Sequence, residues 1–150
     1  MTEPEYPDFG ETLEQAHRSV DALIAGDPEP QKRLWSRADD VTLANPFGGF
    51  ARGWASVEAA MDRAATKVRG QNCEFEEVAR LTGSDVAYVF EIERFEDKLS
   101  GLDGDGVVAL RVTMIFRLEE GGWKLVHRQA DPLVTPQPPS QPVDEVRGAQ

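Results

Sequence analysis

The chain has 150 residues, enough for one domain with a full core and too few for two ordinary ones. Its formal net charge is −11, and its basic residues are scattered, with Lys32-Arg33 the only adjacent pair, so nucleic acid and anionic membrane are not expected partners. A single cysteine, Cys73, excludes an internal disulfide and a cysteine-cluster metal site.

The opening "MTEPEYPDFGE" has neither a basic region nor an apolar run, and no stretch approaches the ~20 apolar residues of a membrane helix. The expectation is a soluble cytoplasmic protein. Residues 1–7, with Pro4 and Pro7, read as a disordered N-terminus. The end, "PLVTPQPPSQPVDEVRGAQ", holds five of the ten prolines and no helical or strand pattern. Proline removes backbone donors and this stretch has little to bury, so residues 134–150 read as a Pro-rich disordered tail behind a domain spanning 8–133.

Within the domain the elements come in two groups. Leu13, Ala16, Val20, Leu23 and Ile24 recur at helical spacing and predict an amphipathic helix from about Asp8 to Ala25, stopped by Gly26-Asp27-Pro28. A short helix follows over about Glu29 to Ser36, then a short strand over Val41 to Ala44. Trp54, Val57, Met61, Ala64, Ala65 and Val68 line one face of a second long helix, ended by Gly70. Strands then take over. Cys73 to Leu81 is half-buried, and "SDVAYVFEIERFE" alternates with Val86, Tyr88, Phe90 and Ile92 on one face. "GVVALRVTMIFRLEEGGWKLVHRQAD" is a long hairpin whose first strand puts Val108, Leu110, Val112, Met114, Phe116 and Leu118 on one face. Helices followed by a four-stranded antiparallel meander predict an α+β class. A sheet this long, covered by few helices, curls around them and leaves a cone-shaped pocket.

Three stretches then carry a likeness: "ALIAGDPEP", "DDVTLANPFGGFARGWASVEAAM" and "TMIFRLEEGGWKLVHRQADPL". Over about residues 9–133 the chain resembles the nuclear transport factor 2-like superfamily, which includes ketosteroid isomerases, SnoaL-type polyketide cyclases and scytalone dehydratase. The middle stretch is most like the isomerases, which have two acids, a strand, an acid-Pro turn, a glycine and a helix, with Asn45-Pro46 standing at the turn here. The closing hairpin is more like the SnoaL-like and kinase-association-domain branches. The resemblance implies a cone-shaped α+β barrel, a curved antiparallel sheet wrapped around the N-terminal helix and the second long helix. It also implies a cofactor-free pocket for a small molecule. One fold of this kind serves many chemistries and also none.

Carried over residue by residue, the isomerase machinery is missing. Its general-base aspartate falls on Asn45, its oxyanion-hole tyrosine at or near Ser19, and its protonated aspartate near Met114. An amide has no usable proton-transfer pKa, so isomerisation by that route is not expected. His127 stands alone where the SnoaL-like and kinase-association-domain branches have a His-x-His pair, Gln129 taking the second place.

His17 shares a helix face with Leu13, Val20 and Ile24, so it is either a hydrogen-bonded core histidine or the acid/base of a catalytic pocket. Asn45, before Pro46, is a turn former or a ligand-binding amide. For the last strand two registers compete. A three-residue loop with a bulge turns Arg128 toward the pocket, whereas a two- or four-residue loop turns His127 there. Arg94 continues the face of Phe90 and Ile92 as a second cation at the mouth. Trp35, Trp54, Met61, Tyr88 and Met114 read as pocket wall. Glu91, Glu93, Arg111 and Arg117 read as cross-strand ion pairs on the outer face, among Val89, Ala109 and Ile115. Asp39 and Asp40 read as solvation of a helix end and strand start. Two histidines without paired spacing give no metal ligand set.

The functional expectation is a small-molecule pocket protein of this group. The ligand is hydrophobic with an acid, enolate or keto oxygen, and the assembly is a homodimer through the outer sheet face. The alternative is a cofactor-independent isomerase, cyclase or dehydratase acting on a cyclic keto compound.

Overall fold

The computed structural model describes residues 7–98 and 106–134, so the expected disorder of residues 1–6 and 135–150 lies outside the described residues. Helix α1 spans Phe9–Ile24 and is capped by Asp8, whose Oδ1 accepts from the Glu11 N–H at 2.8 Å. It ends at Gly26, whose φ of 103° is a conformation glycine adopts without strain. A four-residue α2, Glu29–Lys32, is shorter than the sequence pattern implies. Strand β1 is Thr42–Ala44, and helix α3 is Trp54–Lys67.

The long strands are β3 (Gly70–Thr82), β4 (Val86–Asp97), β5 (Val107–Glu119) and β6 (Gly122–Pro132). A two-residue strand β2, Ala51–Arg52, lies between β1 and α3, too short to leave a periodic signal. The sheet order is β2-β1-β6-β5-β4-β3. The sheet is therefore six-stranded and mixed rather than a four-stranded meander, because β1 runs parallel to β6.

This α+β sheet is curved and unclosed, and its cone encloses α1 and part of α3. Val20, Met61, Val112, Met114 and Phe116 belong to one buried cluster, as the helix and strand periodicities require. Register breaks bend the edge strand β3 at Gln71/Glu74 and Glu77/Ala79. Asn72 lies in the first of them with φ of 55°, which asparagine tolerates better than most residues.

Two departures from the sequence reading decide which side chains enter the cone. In β4 the inward face is Ala87, Val89, Glu91, Glu93 and Phe95, all buried. Val89 pairs with Met114, Glu91 with Val112 and Glu93 with Leu110, each of the partners itself buried. Glu91 and Glu93 are thus interior residues and not outer ion-pair members, while Tyr88 and Arg94 are on the convex side. Val89, with no exposed surface, also leaves the outer face, and Leu125 is equally buried.

The second departure is in the β5–β6 hairpin. Its connection has two residues, Glu120 and Gly121, since Glu119 pairs with Gly122. Carried along unbroken, that register would set His127 inward. Phe116 pairs with Leu125 but Ile115 pairs with His127, so Val126 is an extra residue that shifts the alternation by one. Arg128 therefore faces in, opposite Met114.

Candidate functional site

The interior of the cone holds a small cavity of about 50 Å³. Val20, Leu23 and Ile24 reach it from α1, Met61 and Ala64 from α3, and Leu110 and Ala130 from the sheet. Its polar lining is Gln31, Asn45, Glu93 and Arg128. Pro46 and Phe47 cover it from the turn that follows β1, where the Gly48 N–H donates to the Asn45 carbonyl at 3.1 Å. Pockets that hold drug-sized ligands are roughly 300–1,000 Å³. As it stands, this one suits a few atoms.

Arg128 is buried, and its charge is met at once. Nη2 donates to Glu93 Oε1 at 2.8 Å and Nη1 to Glu93 Oε2 at 3.0 Å, a two-pronged pair in which both residues are inaccessible. Nη1 also lies 3.4 Å from Met114 Sδ. Burial alone would lower the guanidinium's pKa, but the Glu93 carboxylate more than offsets it and the net direction is upward. Cys73 lies close enough to this pair to feel it. Burial first and the Glu93 charge second push its thiol far above the ordinary range, which keeps it protonated and unreactive.

Next to the pair is a second buried carboxylate. Glu91 has no exposed surface, and its Oε2 is 2.8 Å from His17 Nε2. Its Oε1 is buried and meets no hydrogen-bond donor among the described residues. The His17 ring lies flat on Phe75, centroids 3.9 Å apart and 15° between planes. With 27% of its side chain exposed, His17 is reachable from solvent between α1 and β3. It is not part of the cavity wall. The arrangement is a histidine oriented by a buried acid, the pairing that fixes an imidazole's tautomer and direction.

The other candidates have different places. Asn45 lies on the cavity wall, and Met114 lies against the Arg128 guanidinium rather than on that wall. Ser19, at the position of the missing tyrosine, spends its hydroxyl on the Ala16 carbonyl at 2.6 Å. Tyr88 is exposed on the convex face, and Arg94 is there too, paired with Glu76 at 2.8 Å. His127 is also on that side, its Nδ1 2.7 Å from Thr42 Oγ1, and burial lowers its pKa. Trp54 lies under the Arg37 guanidinium at 3.7 Å and away from the cavity. Trp35 is a core residue with its Nε1 buried and unpaired among the described residues. Asp40 is more than solvation: it accepts two hydrogen bonds from Arg117, which hold its carboxyl below the usual range.

Sequence reasoning missed Glu91 and Glu93, the two acids that organise the interior. A signal existed in the register: antiparallel pairing with the unambiguous strand β5 sets both opposite its inward residues. Among the described residues, no three or more His, Cys, Asp or Glu gather in a way that could hold a metal ion. No helix of the described residues is long and apolar enough to cross a membrane.

Comparison with known proteins agrees with this geometry. Solved structures similar to the chain include a nuclear transport factor 2-like superfamily protein from Salmonella enterica, at 16% identity and TM-score 0.68, covering 88% of this chain and 95% of that one. A ketosteroid isomerase-like protein from Erwinia carotovora atroseptica has 15% identity and TM-score 0.68, with 85% and 98% covered. An NTF2-like protein from Cytophaga hutchinsonii has 16% identity and TM-score 0.64, with 85% and 99% covered. Identities this low establish the fold alone. No curated protein matches the sequence. The chain shares the fold of nuclear transport factor 2-like proteins, and the model of the SnoaL-like domain family matches residues 13–134, most of the chain, so the chain belongs to that family.

Proposed function

We propose that the cone receives a small, mainly apolar, uncharged molecule through a keto or hydroxyl oxygen. The observation that carries this is the Arg128–Glu93 pair at the cavity wall. A lone buried arginine would call for an acidic ligand. Here Glu93 already supplies the negative charge, and Glu91 adds a second acid close by. A ligand carboxylate would have to displace Glu93 and leave it buried without a partner, which is strongly unfavourable. A neutral oxygen asks only for spare N–H donors, and a guanidinium has five. Asn45 can donate or accept beside it but cannot move a proton near neutral pH. An occupant larger than a few atoms requires Pro46 and Phe47 to swing away. The test is titration with cyclohexanone and with cyclohexanecarboxylate, followed by amide shifts of Leu110 and Ala130. Saturable shifts with the ketone alone are expected. Shifts with the carboxylate alone would overturn the proposal.

A second reading rests on His17 and Glu91. An imidazole held at 2.8 Å by a buried carboxylate is a general base of ordinary design. It favours a cofactor-independent isomerase, cyclase or dehydratase acting on a cyclic keto compound. Exchange of the α-protons of a cyclic ketone, lost in His17→Ala, would support it. Exchange that survives the substitution would remove it.

The convex face supports a homodimer as the working assembly. Leu81, Val86 and Tyr88 are exposed there and Ile115 is half-buried, an apolar patch of the kind that a monomer rarely leaves wet.

A further inference from the structure

Outside the cone, a second concavity of about 210 Å³ lies between the Asn45–Phe50 turn and α3. Its floor is made of small side chains. Ala60 and Ala64 from the helix and Ala51 from β2 leave space that longer residues would fill, with Leu43 as the one bulky member. Phe47 and Phe50 flank it, and Phe50 is 85% exposed. Gly48 and Gly49, with φ of 98° and 71°, set the path of the turn around it.

Helix α3 sorts its charges about this concavity. Glu58 and Asp62 both point to Lys32 on α2, at 3.6 and 2.8 Å. Arg63 and Lys67, one helical turn apart, line the concavity instead. Neither makes an ion pair with a carboxylate among the described residues. The Lys67 ammonium lies 5.3 Å from the centre of the Phe47 ring, which keeps it at the rim. Like charges at this spacing repel one another on a helix surface. In a chain of net charge −11, Arg63 and Lys67 thus set two cations beside a hollow whose floor and walls are apolar. Asn45, Phe47 and Ala64 line both concavities, and Asn45 adds a neutral amide.

We propose that this hollow is a binding site for a small aryl carboxylate, adjoining the cone cavity and sharing Asn45, Phe47 and Ala64 with it. The carboxylate would lie between Arg63 and Lys67, and the flat apolar body would lie on the alanine floor between Phe47 and Phe50. A cation pair alone would take any oxyanion. The aromatic walls and floor select one that carries an apolar ring. Charge pairs at an exposed rim are individually weak, so the affinity comes from ring burial and charge together.

The experiment is a titration of the isotope-labelled full chain with benzoate, inorganic phosphate and benzamide, read at the amides of Gly48, Gly49, Phe50 and Ala60, which line the hollow and not the cone cavity. Benzoate should give saturable shifts at these amides, phosphate much weaker ones, and benzamide none. Arg63→Gln/Lys67→Gln should bind benzoate about tenfold less tightly, since two rim charge pairs together are worth roughly 1.4 kcal/mol. Its thermal melting should match that of the unsubstituted chain, because both side chains are exposed. Benzamide binding as tightly as benzoate would overturn the proposal, as would phosphate doing so. So would an unchanged benzoate affinity in the double variant, or no benzoate shifts at these amides.

Discussion

Arg128 and Glu93 are 35 residues apart in the chain and are joined by two hydrogen bonds inside the cone, where neither is accessible. Such a pair adds little net stability when intact, because desolvation offsets most of its attraction. Breaking it is different. Arg128→Leu should destabilise the protein by about 3–5 kcal/mol, the cost of leaving a carboxylate buried and unpaired. Arg128→Met/Glu93→Met should recover most of that loss. Urea denaturation of both variants checks this, and equal stabilities for the single and double variants would contradict it.

The His17–Glu91 contact should behave in the same way on a smaller scale, since His17 is partly wet. His17→Ala should cost about 1–3 kcal/mol by leaving Glu91 without its hydrogen-bond partner. Adding Glu91→Leu should return part of it. A double-mutant cycle measures the coupling, and additive single effects would show that the two side chains do not support each other.

His127 sets a pH dependence whose sign follows from burial. Its folded-state pKa is lowered, so on acidification the unfolded chain takes up a proton before the folded one does. The stability it contributes is complete above the ordinary histidine value of about 6.5 and declines as pH falls through the lower, folded-state value. His127→Gln should flatten that part of the curve while leaving the more acidic loss, where Asp40 is protonated out of its contact with Arg117. Urea midpoints on a pH series, compared between the two proteins, read the difference directly.

Asn45→Asp places an acid where the resembling isomerases have their base. The side chain is half-buried at a turn, so the fold should survive with a loss of about 1 kcal/mol or less. Steroid isomerisation should still be absent, because a cavity of about 50 Å³ beneath Phe47 is far too small for a four-ring skeleton, even where the cover yields to a single ring. An assay of the purified variant on a ketosteroid checks both points, and turnover would mean that the cover opens readily.

Light scattering at micromolar concentration tests the assembly. A dimer mass is expected, and Ile115→Lys should convert it to the monomer by putting a charge into the convex patch. A monomer mass for the unsubstituted chain would remove the interface.

What was legible in the chain divides along physical lines. Helices α1 and α3 and strand β5 carry one apolar face and one polar face, so their periodicity states both their type and their orientation. Strand β4 does not. Val86, Tyr88, Phe90 and Ile92 outweigh Ala87 and Val89, so the bulkier side of the strand is the outer one. The two glutamates looked too polar to be interior because their partners, Arg128 and His17, are 35 and 74 residues away. Tyr88 and Arg94 were lost with that face. Arg128 and His127 stayed alternatives, because the inward direction of Arg128 was tied to a three-residue loop, whereas the real connection has two residues and a bulge further along. The parallel pairing of β1 with β6 left no trace, since a three-residue strand is too short to declare its neighbours.

The unmatched Val126 in β6 has a consequence for how this hairpin tolerates change in length. The pairs on either side of it, Phe116 with Leu125 and Ile115 with His127, do not need Val126. Removal of Val126 alone should therefore turn the bulged ladder into a regular one and leave Arg128 opposite Met114, still facing Glu93. A residue gained between His127 and Arg128 without a second bulge should instead turn the cation outward. The bulge thus works as a spare, a residue the strand can lose without disturbing the interior.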